Sequence, residues 1–233
     1  MNLLQELRER VWLCNKDLPK LGLVIHTFGN ASAIDRKQGL VAIKPSGVIY
    51  DDLMVDDIVV VDLDNKVVDG KLRPSSDTKT HTLLYRSFPD IGGIVHTHST
   101  YAVAWAQAMK PIPILGTTHA DLLSTDVPCT KVMSDKMIKG DYEEETGRQI
   151  VDAYGHRSYK EIPMVLVASH GPFTWGDTPE QAVYHSVMLE ELAKIALLTL
   201  QINPAAARLK KTLIDKHFLR KHGPDAYYGQ DWM

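Results

Sequence analysis

Three histidines and one aspartate carry the chemistry most readily read from this chain. His96-Thr97-His98 closes an apolar run, Ile91 to Val95, that reads as a strand. Residues i and i+2 of a strand project from one face, so the two imidazoles can converge on one point. His170 follows a second apolar run, Met164 to Ser169, and precedes Gly171-Pro172, a rigid stop that would hold its ring at a sheet end. Asp77, after Pro74-Ser75-Ser76, offers a carboxylate oxygen. Three neutral imidazoles and a carboxylate suit zinc or a similar divalent ion. Plainer alternatives stay open at this level. With ten histidines in the chain, an H-x-H pair also fits a structural role, His170 a hydrogen-bonded turn and Asp77 a helix N-cap. His26, His81, His156 and His185 read as surface, helix or core residues.

A second kind of site is written in three turns of small, hydrogen-bonding residues: Gly29-Asn30, Pro45-Ser46-Gly47 and Pro74-Ser75-Ser76. Backbone N–H groups and serine hydroxyls in such turns can cradle a phosphate without a full P-loop. None has the spacing of a nucleotide-binding loop, and each taken singly is also an ordinary turn. Lys44 adjoins the second turn, where it either adds positive charge or is a solvated strand end.

The elements that must position these residues follow from periodicity. Leu4, Leu7, Val11, Cys14 and Leu18 recur at spacings of three and four, which predicts an amphipathic helix ending before Pro19. Strands are predicted at Leu23 to Thr27, Leu40 to Lys44, Ile58 to Asp62, Ile91 to His98 and Met164 to Ser169. Helices are predicted from Asp77 or Thr78 through Phe88, from Thr100 to Met109, and from Asp141 to Tyr154 with its acidic first turn. Thr178-Pro179-Glu180-Gln181 has capping-box spacing and starts a helix to about Ile202; a last helix ends at His222, before Gly223-Pro224. Irregular interleaving of strands and helices predicts one layered α/β domain over 1–233, with a mixed sheet flanked by helices.

Composition narrows the function classes. The 233 residues are 44% hydrophobic and 24% charged, with a net charge of −3 and no long basic run, so nucleic acid is not an expected partner. Lys216, Arg220 and Lys221 fall at a helix end, where cations complement the dipole. Cys14 and Cys129 make no disulfide framework. Charges break up the first eleven residues, so no secretory signal is expected, and the apolar run Ile195 to Leu200 is far short of a membrane span. The expectation is a cytoplasmic protein with no membrane partner.

Several motifs together resemble the class II aldolase/adducin family. They are Thr27-Phe28-Gly29-Asn30, Ile43-Lys44-Pro45-Ser46-Gly47-Val48, Lys71-Leu72-Arg73-Pro74-Ser75-Ser76-Asp77-Thr78 and Gly92-Gly93-Ile94-Val95-His96-Thr97-His98-Ser99. Gly116-Thr117-Thr118-His119-Ala120-Asp121 and Ser169-His170-Gly171-Pro172-Phe173 belong with them. The ending, Lys216 to Gly223 with Ala226-Tyr227-Tyr228-Gly229-Gln230, resembles the epimerase branch. The likeness runs from about Leu4 to Gln230.

The resemblance implies a zinc site of Asp77, His96, His98 and His170, and a phosphate site around Gly29, Asn30, Ser46, Gly47, Ser75 and Ser76. It also implies acid/base roles for Asp121 and Tyr228, and a homotetramer with active sites between subunits, so that Tyr228 reaches a neighbour's zinc. The implied activity is epimerisation of L-ribulose 5-phosphate at C4 by retro-aldol cleavage and re-formation of the C3–C4 bond. A sugar-phosphate aldolase of the same family and a non-catalytic adducin-like domain are the alternatives. His217 fits an orienting role or a plain helix-end histidine, and Tyr228 by itself also fits an aromatic packing the tail. Phe28 departs from the tryptophan usual in such epimerases, Leu122-Leu123 from the aromatics that follow the aspartate, and the chain runs three residues past the usual glutamine.

Overall fold

The computed structural model describes residues 3–228. Helix α1 (Leu3–Lys20) buries Leu7, Val11, Cys14 and Leu18, the stripe its periodicity predicts. It continues past Pro19 rather than stopping before it: the proline forgoes one bond near the helix end, where the chain is closed instead by Leu21 N–H on the Asp17 carbonyl and Leu23 N–H on that of Leu18, each at 3.0 Å. Leu23 to Thr27, expected as a strand, is loop: Gly22 at φ +70° turns the chain out of α1, and His26 sits at φ +53°.

The strand lies a few residues on. Strand β1 (Asn30–Asp35) pairs with β2 (Leu40–Ile43) on one side and with β5 (Gly93–His96) on the other. Its small residues lack the β-branched run that marks the other strands, but they suit the centre of a covered sheet. They also let α1 come close: Asn15 exchanges two hydrogen bonds with the Ala31 backbone, at 2.9 and 3.0 Å.

Strands β3 (Val59–Asp62), β4 (Val67–Asp69), β6 (Met164–Leu166) and β7 (Pro172–Gly176) complete a seven-stranded sheet of order β4-β3-β2-β1-β5-β7-β6. The pairings between these strands are antiparallel, and a parallel bridge, Cys129 with Leu166, adjoins the β6 edge. β7 begins with a proline that reads as a stop in the sequence, yet proline is admissible as a strand's first residue because its missing N–H falls at the end of the ladder.

Alternation along β5 sorts the layers. Val95 packs with Cys14 and Leu18 of α1 and with Val183 of α7 (Pro179–Ile202). Ile94 faces the other way, into a cluster with Leu84 and Tyr85 of α2 (Thr78–Ser87), Ile150 and Tyr154 of α6 (Tyr142–Tyr154), and Trp175. His96 shares the Ile94 side of the strand. The first turns of α2 and α6 therefore lie on the side to which His96 projects. The remaining helices are α3 (Thr100–Gln107), α4 (Thr117–Ala120), α5 (Asp135–Lys139) and α8 (Lys211–His222). None of the described helices is long and apolar enough to cross a membrane.

Candidate metal and phosphate site

At the end of β5 the three histidines meet. One ring nitrogen from each of His96, His98 and His170 lies within 4.8 Å of the others, and the Nε2 atoms of His96 and His98 are 3.1 Å apart. β5 stops at His96, so His98 approaches from the segment two residues beyond the strand. His170 comes from the β6–β7 hairpin, where Ser169 takes φ +63°. That hairpin abuts the His98 segment so closely that a Cβ on Gly171 would stand 2.9 Å from the Thr97 carbonyl oxygen.

The rings are oriented as well as gathered. His96 is buried, stacks on Phe173 at 4.2 Å between centroids, and holds its Nδ1 2.9 Å from the Pro172 carbonyl oxygen. A proton on Nδ1 satisfies that carbonyl and leaves Nε2 with its lone pair toward His98. Burial, and then the nearby His96, push His98 down to about 4 and His170 to about 3. Both are thus neutral at pH 7, the form that binds metal. Two imidazole nitrogens aimed at one another, with a third close by, form a donor set a divalent cation would complete.

Asp77 is the N-cap residue of α2 by position, but its side chain makes no capping bond. Its Oδ2 instead accepts from Asn30 Nδ2 at 2.7 Å, and the same amide donates to Ser75 Oγ at 3.0 Å. Burial alone would raise this carboxyl; His96, His81 and the Asn30 bond outweigh it and hold it below the ordinary carboxylate range. Asp77 shares the cleft with the triad without being one of the three converging groups.

That cleft, about 380 Å³, is lined by all four metal candidates and by Gly29, Asn30, Ser46, Gly47, Ser75 and Ser76. The three turns are tied together. Ser75 N–H donates to the Lys44 carbonyl at 3.0 Å, Ser46 N–H to that of Arg73 at 2.9 Å, and Tyr50 Oη to the Phe28 and Gly29 carbonyls. Gly29 is required at its position: φ is +81° and a Cβ would meet the His96 carbonyl oxygen at 2.8 Å. Asn30, almost fully buried, has its Oδ1 without a hydrogen-bond partner. Lys44 is not a solvated strand end. It is 1% exposed, and its Nζ donates to the Val48 carbonyl at 2.7 Å above the Tyr50 ring. Burial lowers it to about 8, so most of its charge remains at pH 7.

Asp121 and Tyr228 form a second patch outside this cleft. Asp121, at the end of α4, accepts from His217 Nδ1 at 2.9 Å and from the Arg220 guanidinium at 2.8 and 2.9 Å. Burial would raise its carboxyl, but those bonds and the Lys221 charge hold it low. Tyr228 is exposed, and its ring lies 4.1 Å from Lys221 Nζ and 5.2 Å from the Arg220 guanidinium. The pair is brought together, but not to the triad of its own chain. Gly229, Gln230 and the last three residues fall outside the described residues. The cleft also holds Tyr142 and Glu143, which the sequence offered only as the acidic start of a helix.

The description "Class II Aldolase and Adducin N-terminal domain" matches residues 9–197. L-ribulose-5-phosphate 4-epimerase UlaF of Salmonella paratyphi B is 52% identical over 227 residues, spanning 97% of this chain and 100% of the relative. The protein of the same name from Salmonella choleraesuis is 53% identical over the same spans. Among solved structures, an L-fuculose 1-phosphate aldolase superposes with a TM-score of 0.76 at 25% identity, covering 91% of this chain and 94% of its own.

Proposed function

Because the chain belongs to the class II aldolase and adducin family, we propose that it is an L-ribulose-5-phosphate 4-epimerase, forming D-xylulose 5-phosphate. The observation that carries this is the identity of more than half, over nearly the whole of both chains, with curated epimerases. His96, His98 and His170, with Asp77 beside them, would hold one zinc ion per chain. The turns at Gly29-Asn30, Ser46-Gly47 and Ser75-Ser76 would receive the substrate phosphate, with Lys44 adding charge. Residues 1–233 act as one unit, and a cytoplasmic location suits an ionised sugar phosphate, which does not cross a membrane unaided.

The C4 proton of a ribulose phosphate is not acidic, so inversion by direct deprotonation there is disfavoured. Retro-aldol cleavage avoids the difficulty. Loss of the C4 hydroxyl proton to a base sends its electrons into an aldehyde carbonyl as the C3–C4 bond breaks. The electrons of that bond pass into the enediolate of dihydroxyacetone, carbons C1 to C3, and glycolaldehyde phosphate, C4 and C5, is the other fragment. Zinc at the triad would supply Lewis-acid polarisation of the ketose oxygens. The turns hold the phosphate of this aldehyde fragment, so its carbonyl can rotate about the C4–C5 bond and be attacked on its other face. The new C4 oxygen then takes a proton back.

Such inversion needs proton transfer on two sides, a role that Asp121 and Tyr228 would share. Their separation from the triad within one chain supports active sites completed by a neighbouring subunit, in a homotetramer.

Product analysis tests the proposal against its nearest competitor, given the structural likeness to an aldolase. Purified protein with L-ribulose 5-phosphate should yield D-xylulose 5-phosphate with little free glycolaldehyde phosphate. Net release of glycolaldehyde phosphate and dihydroxyacetone as the main products would establish the aldolase reaction instead.

A further inference from the structure

The three imidazoles of the cleft are not held alike. His96 is fixed by a main-chain carbonyl and by the face of Phe173. His170 sits in a hairpin turn, and its ring hydrogen-bonds at Nδ1, 3.3 Å from Tyr142 Oη. Tyr142 opens α6, and three contacts fix that helix start. The Asp141 carboxylate accepts from Glu144 N–H and pairs with Lys79 Nζ, and Thr80 Oγ1 donates to the Glu143 carbonyl at 2.6 Å. Lys79 and Thr80 lie in the first turn of α2, directly after Asp77. Gly147 of α6 packs against Leu83 of α2, with 3.1 Å left for a Cβ. One rigid corner therefore carries both the Asp77 carboxylate and the Tyr142 phenol.

We infer that Tyr142 is a positioning residue for His170. Its phenol oxygen accepts the Nδ1 proton, which leaves Nε2 unprotonated and fixes the ring's angle within the triad. Hydrogen-bond partners of this kind usually change metal affinity by about 10- to 100-fold when removed. The inference rests on the reading of His96, His98 and His170 as a metal site.

The test is Tyr142→Phe, which keeps the ring and removes only the oxygen. Zinc affinity is measured by competition with a chromophoric chelator, beside urea unfolding of the metal-free protein. The expected result is a zinc Kd weaker by about 10-fold or more, with an unchanged unfolding midpoint. In a His170→Ala background the same change should have no further effect on Kd. A wild type that binds zinc and a Tyr142→Phe variant that binds it equally well would overturn this proposal alone. A wild type that takes up no divalent ion would overturn the metal reading and this proposal with it.

Discussion

Replacing Gly29 with alanine should cost far more than the same change at Gly47, although both have left-handed backbones at the mouth of one cleft. Gly47 is at φ +71° with nothing within 4 Å of an added Cβ, whereas at Gly29, φ +81°, the new atom would meet the His96 carbonyl oxygen and Val24 Cγ1, each at 2.8 Å. A left-handed alanine costs about 1–2 kcal/mol, and the stiffer unfolded chain returns about 0.4–1. Gly47→Ala should therefore lose about 1 kcal/mol. Gly29→Ala adds an overpacking cost of about 1–3 kcal/mol, because the obstruction is main chain and the turn is pinned by Tyr50 Oη. Its total should be about 2–4 kcal/mol. Urea denaturation of the two metal-free variants measures the difference. Since the obstructing carbonyl belongs to His96, zinc affinity should fall in Gly29→Ala and hold in Gly47→Ala. Equal stability losses in the two variants would refute the close approach of this turn to β5.

Other consequences are testable on the same material. Unphosphorylated L-ribulose should be a much poorer substrate, and Ser75→Ala should raise KM more than it lowers kcat, because the phosphate takes no part in the bond changes and is held alike before and during them; equal turnover of both sugars would remove the phosphate role of the turns. Tyr228→Phe and Asp121→Asn should each slow epimerisation by about 10²-fold or more while zinc stays bound, as read by steady-state assay and elemental analysis. Mixed oligomers of His96→Ala and Tyr228→Phe subunits should regain part of the activity both parents lack, since one shared site then carries neither change; no recovery would place the whole site in one chain. Burial lowers His81 to about 3 and His119 to about 4, so the unfolded chain binds more protons below its ordinary histidine pKa of about 6.5. Stability of the metal-free protein should thus fall as pH drops from about 6.5 toward 4, by urea midpoints; a flat profile would contradict the neutral burial of these rings.

Much of the site is legible in the sequence because its residues are local to an element. His96 and His98 are two apart at a strand end, and Asp77 and the serines stand in one turn before a helix. The convergence of His170 was suggested by Gly171-Pro172, though as the end of a strand rather than the hairpin into β7. What escaped has physical causes. Asn30 to Asp35 forms a central strand from small residues because pairing on both edges and the approach of α1 outweigh intrinsic preference. Lys44 looks solvent-bound in a one-dimensional pattern, yet the fold of its own turn buries it against Tyr50. The phenol of Tyr142 serves its neighbour across the β6–β7 hairpin, a relation no spacing within α6 reveals. The Asp121–Arg220 pair joins residues ninety-nine apart, and only family resemblance links them to the reaction.

Metal held by the three histidines is the proposed requirement for epimerisation of a pentulose phosphate. The most direct measurement strips the protein with a chelator, then restores zinc in steps while following D-xylulose 5-phosphate formed from L-ribulose 5-phosphate. Activity should vanish on stripping and return with about one equivalent of zinc per chain, and the His96→Ala variant should regain none. Full epimerase activity after exhaustive chelation would contradict it.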